Sequence, residues 1–218
     1  MSALKISEIF YSIQGEGSRA GLPCVFVRLH GCGLRCSWCD TPYALDHRTG
    51  GEMMDTGAVL SRIASFRCGF VELTGGEPLE QEAAFPFLTE LCDQGYTVAV
   101  ETGGHIDISR VDPRVIVIMD MKCPASDMSR KNLPGNIAYL KPTDEVKFVI
   151  ANREDYEWTR ALIERERLFA RCGEILLAPV FGMIEARDLA SWILEDRLPV
   201  RMQLQMHKFI WAPDARGV

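Results

Sequence analysis

The chain has 218 residues, 47% hydrophobic and 25% charged, which are ordinary values for a globular protein long enough to bury one core. Its 24 Lys and Arg against 30 Asp and Glu leave a formal net charge of −6, so there is no excess of positive charge to hold a phosphate backbone. The chain has neither a basic-then-apolar leader nor an apolar run of roughly 18 residues, so we expect it to bind no membrane. From its length we expect one domain over residues 1–218, and from its net charge we expect no binding of nucleic acid.

Apolar strand runs alternate with helical patterns along the chain. The predicted strands cover residues 5–11, 24–29, 69–73, 96–100, 115–119, 145–150, 175–178 and 200–204. The predicted helices cover residues 55–67, 80–94, about 153–171 with a stop at Gly173, and 185–196. Residues 123–142 show the least pattern and are expected to form a long connection or a lid.

Strands that alternate with helices indicate parallel β–α units, and nearly every candidate functional motif follows the end of a predicted strand. In barrel-like parallel sheets the site is built from the loops at that end of the strands. The units are too few for eight strands with eight helices. The sequence therefore predicts an α/β fold, an open partial TIM-type barrel of about six parallel strands with outer helices and N- and C-terminal extensions.

Three cysteines follow the second predicted strand with the spacing C-x3-C-x2-C: Cys32, Cys36 and Cys39. Three thiolates can share one metal centre, and a four-iron cluster held by three cysteines leaves one iron open for a small molecule. Zinc would need a fourth ligand, and neither flanking histidine falls at the usual paired spacing. An odd number of cysteines disfavours a disulfide. Three structural cysteines are the plain alternative, which the aromatic Trp38 before the last cysteine weakens.

Arg28 is the one charged residue in the apolar run 24–29 and therefore needs an anionic partner. A guanidinium group forks well onto carboxylates, so Arg28 is a candidate to bind a substrate carboxylate. A local ion pair is the alternative. The Gly-rich segment 14–17 is equally typical of an ordinary tight turn.

The cysteine spacing with an aromatic residue before the third cysteine resembles the signature of the radical S-adenosylmethionine superfamily. Other segments make the chain similar to the 7-carboxy-7-deazaguanine synthase family over nearly its whole length. These segments are residues 10–17 (FYSIQGEG), 39–41 (CDT), 74–78 (TGGEP), 101–103 (ETG) and 205–208 (QMHK). The resemblance also implies the open partial barrel and a homodimer.

The resemblance implies a lyase that converts 6-carboxy-5,6,7,8-tetrahydropterin to 7-carboxy-7-deazaguanine with loss of ammonia, in queuosine and 7-deazapurine biosynthesis. A [4Fe-4S] cluster would cleave S-adenosyl-L-methionine to a 5′-deoxyadenosyl radical, which abstracts a hydrogen and later takes it back. Mg²⁺ would assist at the substrate carboxylate, and a donor such as flavodoxin or ferredoxin would supply the electron. Because this chemistry needs reduced thiols and eight cysteines are few for a disulfide scaffold, we expect a cytoplasmic protein.

The resemblance also assigns site residues, none of them an acid–base catalyst. The implied metal ligands are Cys32, Cys36 and Cys39 for the cluster and Thr41 for magnesium. The implied cofactor contacts are Trp38, Asp40, Gly76, Glu77, Glu101, Asp120, Met121 and Lys122. The implied substrate contacts are Ile13, Gln14, Gly15, Arg28, Thr74 and His207. Gly76 would allow close approach of the methionine part, and Glu77 would accept from its ammonium group.

Plain structural roles remain open for three of these residues: Trp38 as a core residue, Thr41 as a turn or helix cap, and an isolated His207. Two other function classes also remain open. A glycyl-radical activase would need a protein-docking groove, and a zinc or redox-sensing module would not need the Gly-Gly-Glu motif. Some relatives end near Pro213 and use their terminal carboxylate in the substrate pocket. This chain continues to Val218, so either a folded-back tail supplies that group or the interaction is absent.

Overall fold

The computed structural model describes residues 2–218 and contains one mixed sheet with helices on its outer side. The strands are β1 Ala3–Ile13, β2 Pro23–Leu29, β3 Glu52–Asp55, β4 Phe70–Gly75, β5 Thr97–Thr102, β6 Ile116–Asp120, β7 Glu145–Ile150, β8 Glu174–Pro179 and β9 Arg201–Met202. The helices are α1 Thr56–Ser65, α2 Ala84–Asp93, α3 Arg153–Glu166, α4 Ala186–Glu195 and α5 His207–Ile210. Short 3₁₀ turns fill several of the connections.

The strands follow the order β3-β1-β2-β4-β5-β6-β7-β8-β9 across the sheet. β1 pairs antiparallel with β2 and β3, whereas every pair from β2 through β4 to β9 is parallel. Six of the parallel strands have five to seven residues, and β9 has only two. The predicted partial barrel of about six parallel strands, with outer helices and extensions at both ends, is confirmed.

The two faces of the sheet bury different side chains, because successive residues of a strand point to opposite sides. The outer face packs against the helices with fully buried residues such as Val27, Leu73, Val100, Phe148 and Leu177. On the inner face, positions farther from the carboxyl ends of the strands form a second apolar group, which we call the inner floor. Its residues are Cys24, Phe26, Phe70, Ala99, Ile116 and Ile118. The inner positions nearer the carboxyl ends of the strands are polar, so the sequence pattern of β4 to β7 builds an apolar floor beneath a charged layer.

The helix boundaries follow local capping chemistry. The Asp55 carboxylate accepts from the N–H of Gly57 at the start of α1. The predicted stop of α3 at Gly173 is wrong: Arg167 adopts a left-handed conformation (φ 52°) and ends the helix there. The next residue, Leu168, is fully buried, so the chain turns inward toward the core at this point.

Residues 123–142 form a packed connection of three 3₁₀ turns. Asn136 fixes this connection from within: its amide donates to the carbonyls of Gly104 and Ile106, and its side-chain oxygen accepts from the N–H of Ile108. Among residues 2–218, no helix combines the length and the apolar character needed to cross a bilayer.

The loop after β4 docks directly on the loop that carries the cysteines. The N–H of Gly76 donates to the carbonyl of Leu29 at 3.2 Å, and the N–H of Glu77 donates to the carbonyl of Gly31 at 2.8 Å. A Cβ added to Gly76 would lie 2.0 Å from the Gly31 carbonyl oxygen, a distance that atoms cannot share. Glycine is thus required at position 76 by the backbone of the protein itself.

Replacing Gly76 by Ala should therefore destabilise the fold by roughly 3 kcal/mol, the upper range for inserting a methyl group into a packed site. Chemical denaturation under anaerobic conditions measures this change in the free energy of unfolding. Gly69→Ala is the matched control, since a Cβ there meets no atom within 4 Å. Equal stabilities for the two variants would contradict the close approach of the two loops.

Candidate functional site

A cavity of about 630 Å³ opens at the carboxyl ends of the parallel strands, a size suited to a small-molecule ligand. It is lined by Ile13, Gln14, Gly15, Arg28, Cys32, Cys36, Trp38, Cys39, Asp40, Thr41, Thr74, Gly76, Glu77, Glu101, Asp120, Lys122 and His207. Of the residues that the sequence singled out, only Met121 does not line it. Its side chain is 3% exposed and packs in the outer core, so its assignment to the cofactor stays a prediction without geometric support.

The cysteine loop is held by its own backbone and by its neighbours. The N–H of Gly31 donates to the carbonyl of Ala44 at 2.7 Å, and that of Cys32 donates to the carbonyl of Leu45 at 3.2 Å. Burial raises the pKa of the Cys32 thiol to about 12, and burial also raises the pKa of Cys36. A metal centre bound here must therefore displace thiol protons, which couples its binding to pH.

The three thiols are a donor set suited to an iron–sulfur centre. Cys32, Cys36 and Cys39 line the same cavity. Thiolate sulfur is the ligand type that iron–sulfur clusters use, so the donor set fits a [4Fe-4S] cluster. Among the described residues, no three His, Cys, Asp or Glu side chains form a group that could hold a single metal ion.

Glu80 anchors the cysteine loop from the side. Its Oε1 accepts from the N–H of Gly33 at 2.8 Å and lies 2.9 Å from Nε2 of His105. Its Oε2 lies 3.2 Å from Nε2 of His47. Burial alone would raise the pKa of Glu80, but the hydrogen bonds from His105 and Gly33 outweigh it and lower the pKa. Glu80 was not among the expected site residues, because it lies in a 3₁₀ turn and belongs to no motif with a recognisable residue spacing.

Three groups of the protein itself donate hydrogen bonds to the Glu77 carboxylate. Its side chain is 1% exposed; Oε1 accepts from the N–H of Leu79 and the hydroxyl of Thr102, and Oε2 accepts from the N–H of Gly103. A carboxylate has about four acceptor positions, so these bonds leave roughly one for a cofactor ammonium group. Glu77 thus ties the loop after β4 to the end of β5, whatever else it binds.

A buried lysine organises the charged layer of the cavity. Lys147, 4% exposed, forms ion pairs with Glu101, with Glu16 at 2.9 Å and with Asp120 at 3.5 Å. Burial would lower the pKa of Lys147, but these carboxylates raise it well above its ordinary value, so the ammonium stays charged. Lys122 pairs with Asp120 at 2.9 Å. The expected cofactor contacts at positions 101, 120 and 122 therefore belong to one ion-pair network.

Arg28 forms the local ion pair that was its alternative role and still lines the cavity. Its Nε lies 2.7 Å from Oε1 of Glu8, and the hydroxyl of Tyr43 donates to the same oxygen at 2.7 Å. The Thr74 hydroxyl donates to Glu101 at 3.3 Å. Thr41 precedes a 3₁₀ turn, but its hydroxyl makes no capping hydrogen bond. That hydroxyl is thus not committed to the backbone.

The C-terminal segment closes the cavity from above. The N–H of Met206 donates to the carbonyl of Gly15 at 3.0 Å, and a Cβ on Gly15 would lie 2.5 Å from Nδ1 of His207. Burial lowers the pKa of His207 and favours its neutral form. Residues 212–218 also line the cavity, with the Arg216 guanidinium 3.7 Å from the centre of the Tyr43 ring. The tail therefore folds back along the cavity.

Several residues of the cavity wall were not among the expected site residues: Glu8, Glu16, Tyr43, Glu72, Lys147 and Lys208. For two of them the sequence held a usable signal. Glu72 and Lys147 are charged residues within otherwise apolar strand runs, and a buried charge needs a partner or a ligand.

Comparison with known proteins gives consistent results. The 4Fe-4S single cluster domain family matches residues 13–105. The 7-carboxy-7-deazaguanine synthase of Chlorobaculum tepidum is 50% identical over 218 residues, covering 99% of this chain and 97% of that protein. The enzyme of the same name from Koribacter versatilis is 40% identical over 99% of this chain and 100% of that protein. The crystal structure of QueE from Escherichia coli is similar in fold, with a TM-score of 0.77 and 22% identity over 94% of this chain and 95% of that chain.

Removing the Glu80 carboxylate should loosen the cysteine loop. Glu80→Ala leaves the Gly33 N–H and two histidines without their acceptor, and a hydrogen bond to a charged group contributes about 1.5–3 kcal/mol. We expect anaerobically reconstituted Glu80→Ala protein to release iron to a chelator roughly ten times faster than the wild type, since about 1.4 kcal/mol corresponds to tenfold.

The control for this variant is Glu82→Ala, which removes an exposed carboxylate two residues away whose one ion pair within residues 2–218 is with Arg110. Iron release from the control should match the wild type. Equal release rates in Glu80→Ala and the control would show that the loop holds the metal without this anchor.

Proposed function

The chain belongs to the 7-carboxy-7-deazaguanine synthase family, and from this premise we propose that it converts 6-carboxy-5,6,7,8-tetrahydropterin to 7-carboxy-7-deazaguanine with release of ammonia. It is a radical S-adenosylmethionine lyase of queuosine biosynthesis. The observation that carries the proposal is 50% identity over almost the full length of a 7-carboxy-7-deazaguanine synthase. Family membership leaves the glycyl-radical activase and the zinc module without support.

The cofactors are an iron–sulfur cluster and S-adenosyl-L-methionine. We propose that Cys32, Cys36 and Cys39 hold the cluster, which their common cavity and thiolate chemistry support. When bound, the cluster and S-adenosylmethionine supply a carbon radical that abstracts hydrogen from the substrate. The role of the chain itself is to bind and shield: the buried ion pairs of Lys147 hold the Glu101 and Asp120 carboxylates in position for the cofactor's polar groups.

We propose that Thr41 binds Mg²⁺ beside the substrate carboxylate. Hydroxyl oxygen suits a hard cation that retains waters and substrate oxygens in its shell. The absence of a capping hydrogen bond from Thr41, among the described residues, supports a ligand role. Arg28, on the same cavity wall, is the proposed partner of the substrate carboxylate, with Glu8 and Tyr43 fixing the direction of its guanidinium.

The remaining proposed substrate contacts come from three separate parts of the chain. Ile13, Gln14 and Gly15 follow β1, Thr74 ends β4, and His207 begins α5. Their common cavity supports this assignment. The low pKa of His207 favours a neutral ring, which both donates and accepts hydrogen bonds and therefore suits a polar heterocycle.

The substrate is a small molecule, and we propose two kinds of macromolecular partner for the protein. We propose a flavodoxin or ferredoxin as electron donor, since one electron must reach the cluster in each reaction. A homodimer is proposed from family membership alone. Eight free thiols support a reducing compartment, and we propose the cytoplasm.

The reaction is tested by anaerobic reconstitution with iron, sulfide, S-adenosylmethionine, Mg²⁺, a reductant and the carboxytetrahydropterin. We expect one ammonia released for each deazaguanine formed, and loss of both in Cys36→Ala. Cys92→Ala is the matched control, because that half-buried thiol lies on α2 outside the cavity. Wild-type protein that carries the cluster but forms no deazaguanine would overturn the proposed function.

The magnesium ligand is tested by comparing Thr41→Ala with Thr41→Ser. The serine variant keeps a hydroxyl ligand, so its magnesium response should match the wild type. The alanine variant should need roughly tenfold more Mg²⁺ for half-maximal rate, because losing about 1.4 kcal/mol of ligand binding corresponds to tenfold. An identical magnesium response in both variants would remove Thr41 from the site.

A further inference from the structure

We propose that Glu72 determines substrate specificity: as a neutral carboxylic acid, it donates a hydrogen bond from Oε1 to an acceptor atom on the bicyclic ring of the substrate. The proposal rests on the proposed function for the identity of that substrate. It assigns a role to a buried carboxyl group of the cavity wall that has no ion pair within the described residues.

Glu72 lies on the inner face of β4, directly above the inner floor. Its cross-strand neighbours are Phe26 on β2 and Ala99 on β5, both apolar and both part of that floor. Its side chain is 2% exposed, yet it lines the cavity. A carboxyl group between two apolar neighbours, open only toward a ligand cavity, has its free hydrogen-bonding capacity directed at a ligand.

The Glu77 carboxylate of the cavity wall lies 3.5 Å from Nδ1 of His105, and five further carboxylates there are each paired with a lysine or an arginine. These pairs are Glu8 with Arg28, Asp40 with Lys208, Glu101 and Glu16 with Lys147, and Asp120 with Lys122. Within residues 2–218, Glu72 has no ion pair, and its one partner is the side-chain amide of Gln14. An ionised Glu72 would therefore add a buried negative charge that no cation balances, which is far more costly than a buried neutral acid.

The polarity of the Gln14 amide decides which oxygen carries the proton. Oε1 of Gln14 accepts from the N–H of Glu16 at 3.1 Å, which fixes the amide orientation. Nε2 of Gln14 consequently points to Oε2 of Glu72 and donates to it. Oε2 is thus an acceptor, and the proton lies on Oε1, for which the described residues provide no hydrogen-bond partner. A hydroxyl at this position can donate a hydrogen bond to an acceptor atom of the ligand.

The surrounding charges agree with the neutral form. Burial raises the pKa of Glu72 well above its ordinary value, and the carboxylates of Glu101 and Glu16 raise it further. Lys147 and Arg28 face it from β7 and β2 and act in the opposite direction, but their charge is already shared with other carboxylates. The surroundings of Glu72 therefore favour its protonated form.

A neutral acid selects ligands differently from a carboxylate. Its hydroxyl donates to a ring carbonyl or an unprotonated ring nitrogen, and a pterin ring offers both kinds of atom. A buried donor that finds no acceptor is costly, so sites of this kind discriminate strongly against ligands that leave them unpaired. The group thus favours an oxygenated bicyclic heterocycle over an apolar ring of the same shape.

The test compares Glu72→Gln with Glu72→Leu, measuring the Kd of the carboxytetrahydropterin for cluster-loaded, S-adenosylmethionine-bound protein under anaerobic conditions. Glutamine keeps the acceptor for Gln14 and replaces the hydroxyl by an N–H donor, so its Kd should stay within about threefold of the wild type. Leucine has no donor, and we expect its Kd to rise roughly 100-fold. Glu72→Met serves as a second apolar variant should the branched side chain prevent folding.

Two results would overturn the proposal. A Kd for Glu72→Gln as weak as that of the apolar variants would mean that the residue binds as a carboxylate. Wild-type affinity in an apolar variant would mean that it does not contact the substrate. Both differ from a failure of the proposed function, in which the wild-type holoenzyme itself neither binds the pterin nor forms the deazaguanine.

A pH series separates the two charge states independently. The Kd of the wild type and that of Glu72→Gln should show the same dependence on pH between about 6 and 8, because neither side chain titrates there. Wild-type binding that strengthens with rising pH while Glu72→Gln binding stays constant would assign an ionising carboxyl group and contradict the proposal.

Discussion

The docking of two loop backbones onto each other is the constraint on which the site depends. The loop after β4 lies against the cysteine loop through the Gly76–Gly31 approach and the hydrogen bond from the N–H of Glu77 to the carbonyl of Gly31. Backbone groups hold a geometry that side-chain rotamers cannot vary. The thiols of one loop and the Glu77 carboxylate of the other are therefore fixed relative to each other before any cofactor binds. Glu80 adds a bond from the same segment to Gly33.

The charged layer above the inner floor depends on the balance between the cost of desolvating charged groups and the attraction between them. Taking a lysine and its carboxylates out of water costs several kcal/mol per ion, which a single ion pair seldom recovers. Lys147 recovers it by contacting three carboxylates at once, on the β1–β2 loop, β5 and β6. Such a network is weak evidence for stability, but it holds acceptor oxygens in fixed positions around the cavity. Glu72 lies outside the network, which is why we propose a different protonation state for it.

Much of the fold was predictable from the sequence, because buried parallel strands are near-continuous apolar runs. The end of α3 was not predictable, since Arg167 adopts a left-handed conformation that glycine usually occupies. β3 and α5 have four residues each, too few to show a period. Strand alternation explains why the Met121 side chain does not line the cavity: Asp120 and Lys122 face the cavity, so the side chain between them faces the outer core. Glu80 depends on tertiary contacts that no spacing encodes.

How a ligand reaches the buried cavity depends on the contacts that join the two edges of the open barrel. The edge strands β3 and β9 do not pair with each other in residues 2–218, and the gap is bridged by loop contacts instead of a strand ladder. The N–H of Gly17 donates to Gln203 at 2.6 Å, the N–H of Met206 donates to the carbonyl of Gly15, and Gln205 donates to Glu16. A few bonds of about 0.5–1.5 kcal/mol each can open without disturbing the parallel strands. These same loops carry the proposed substrate contacts Gly15 and His207, so a substrate bound there would contact both sides of the gap and add to the bonds that join them.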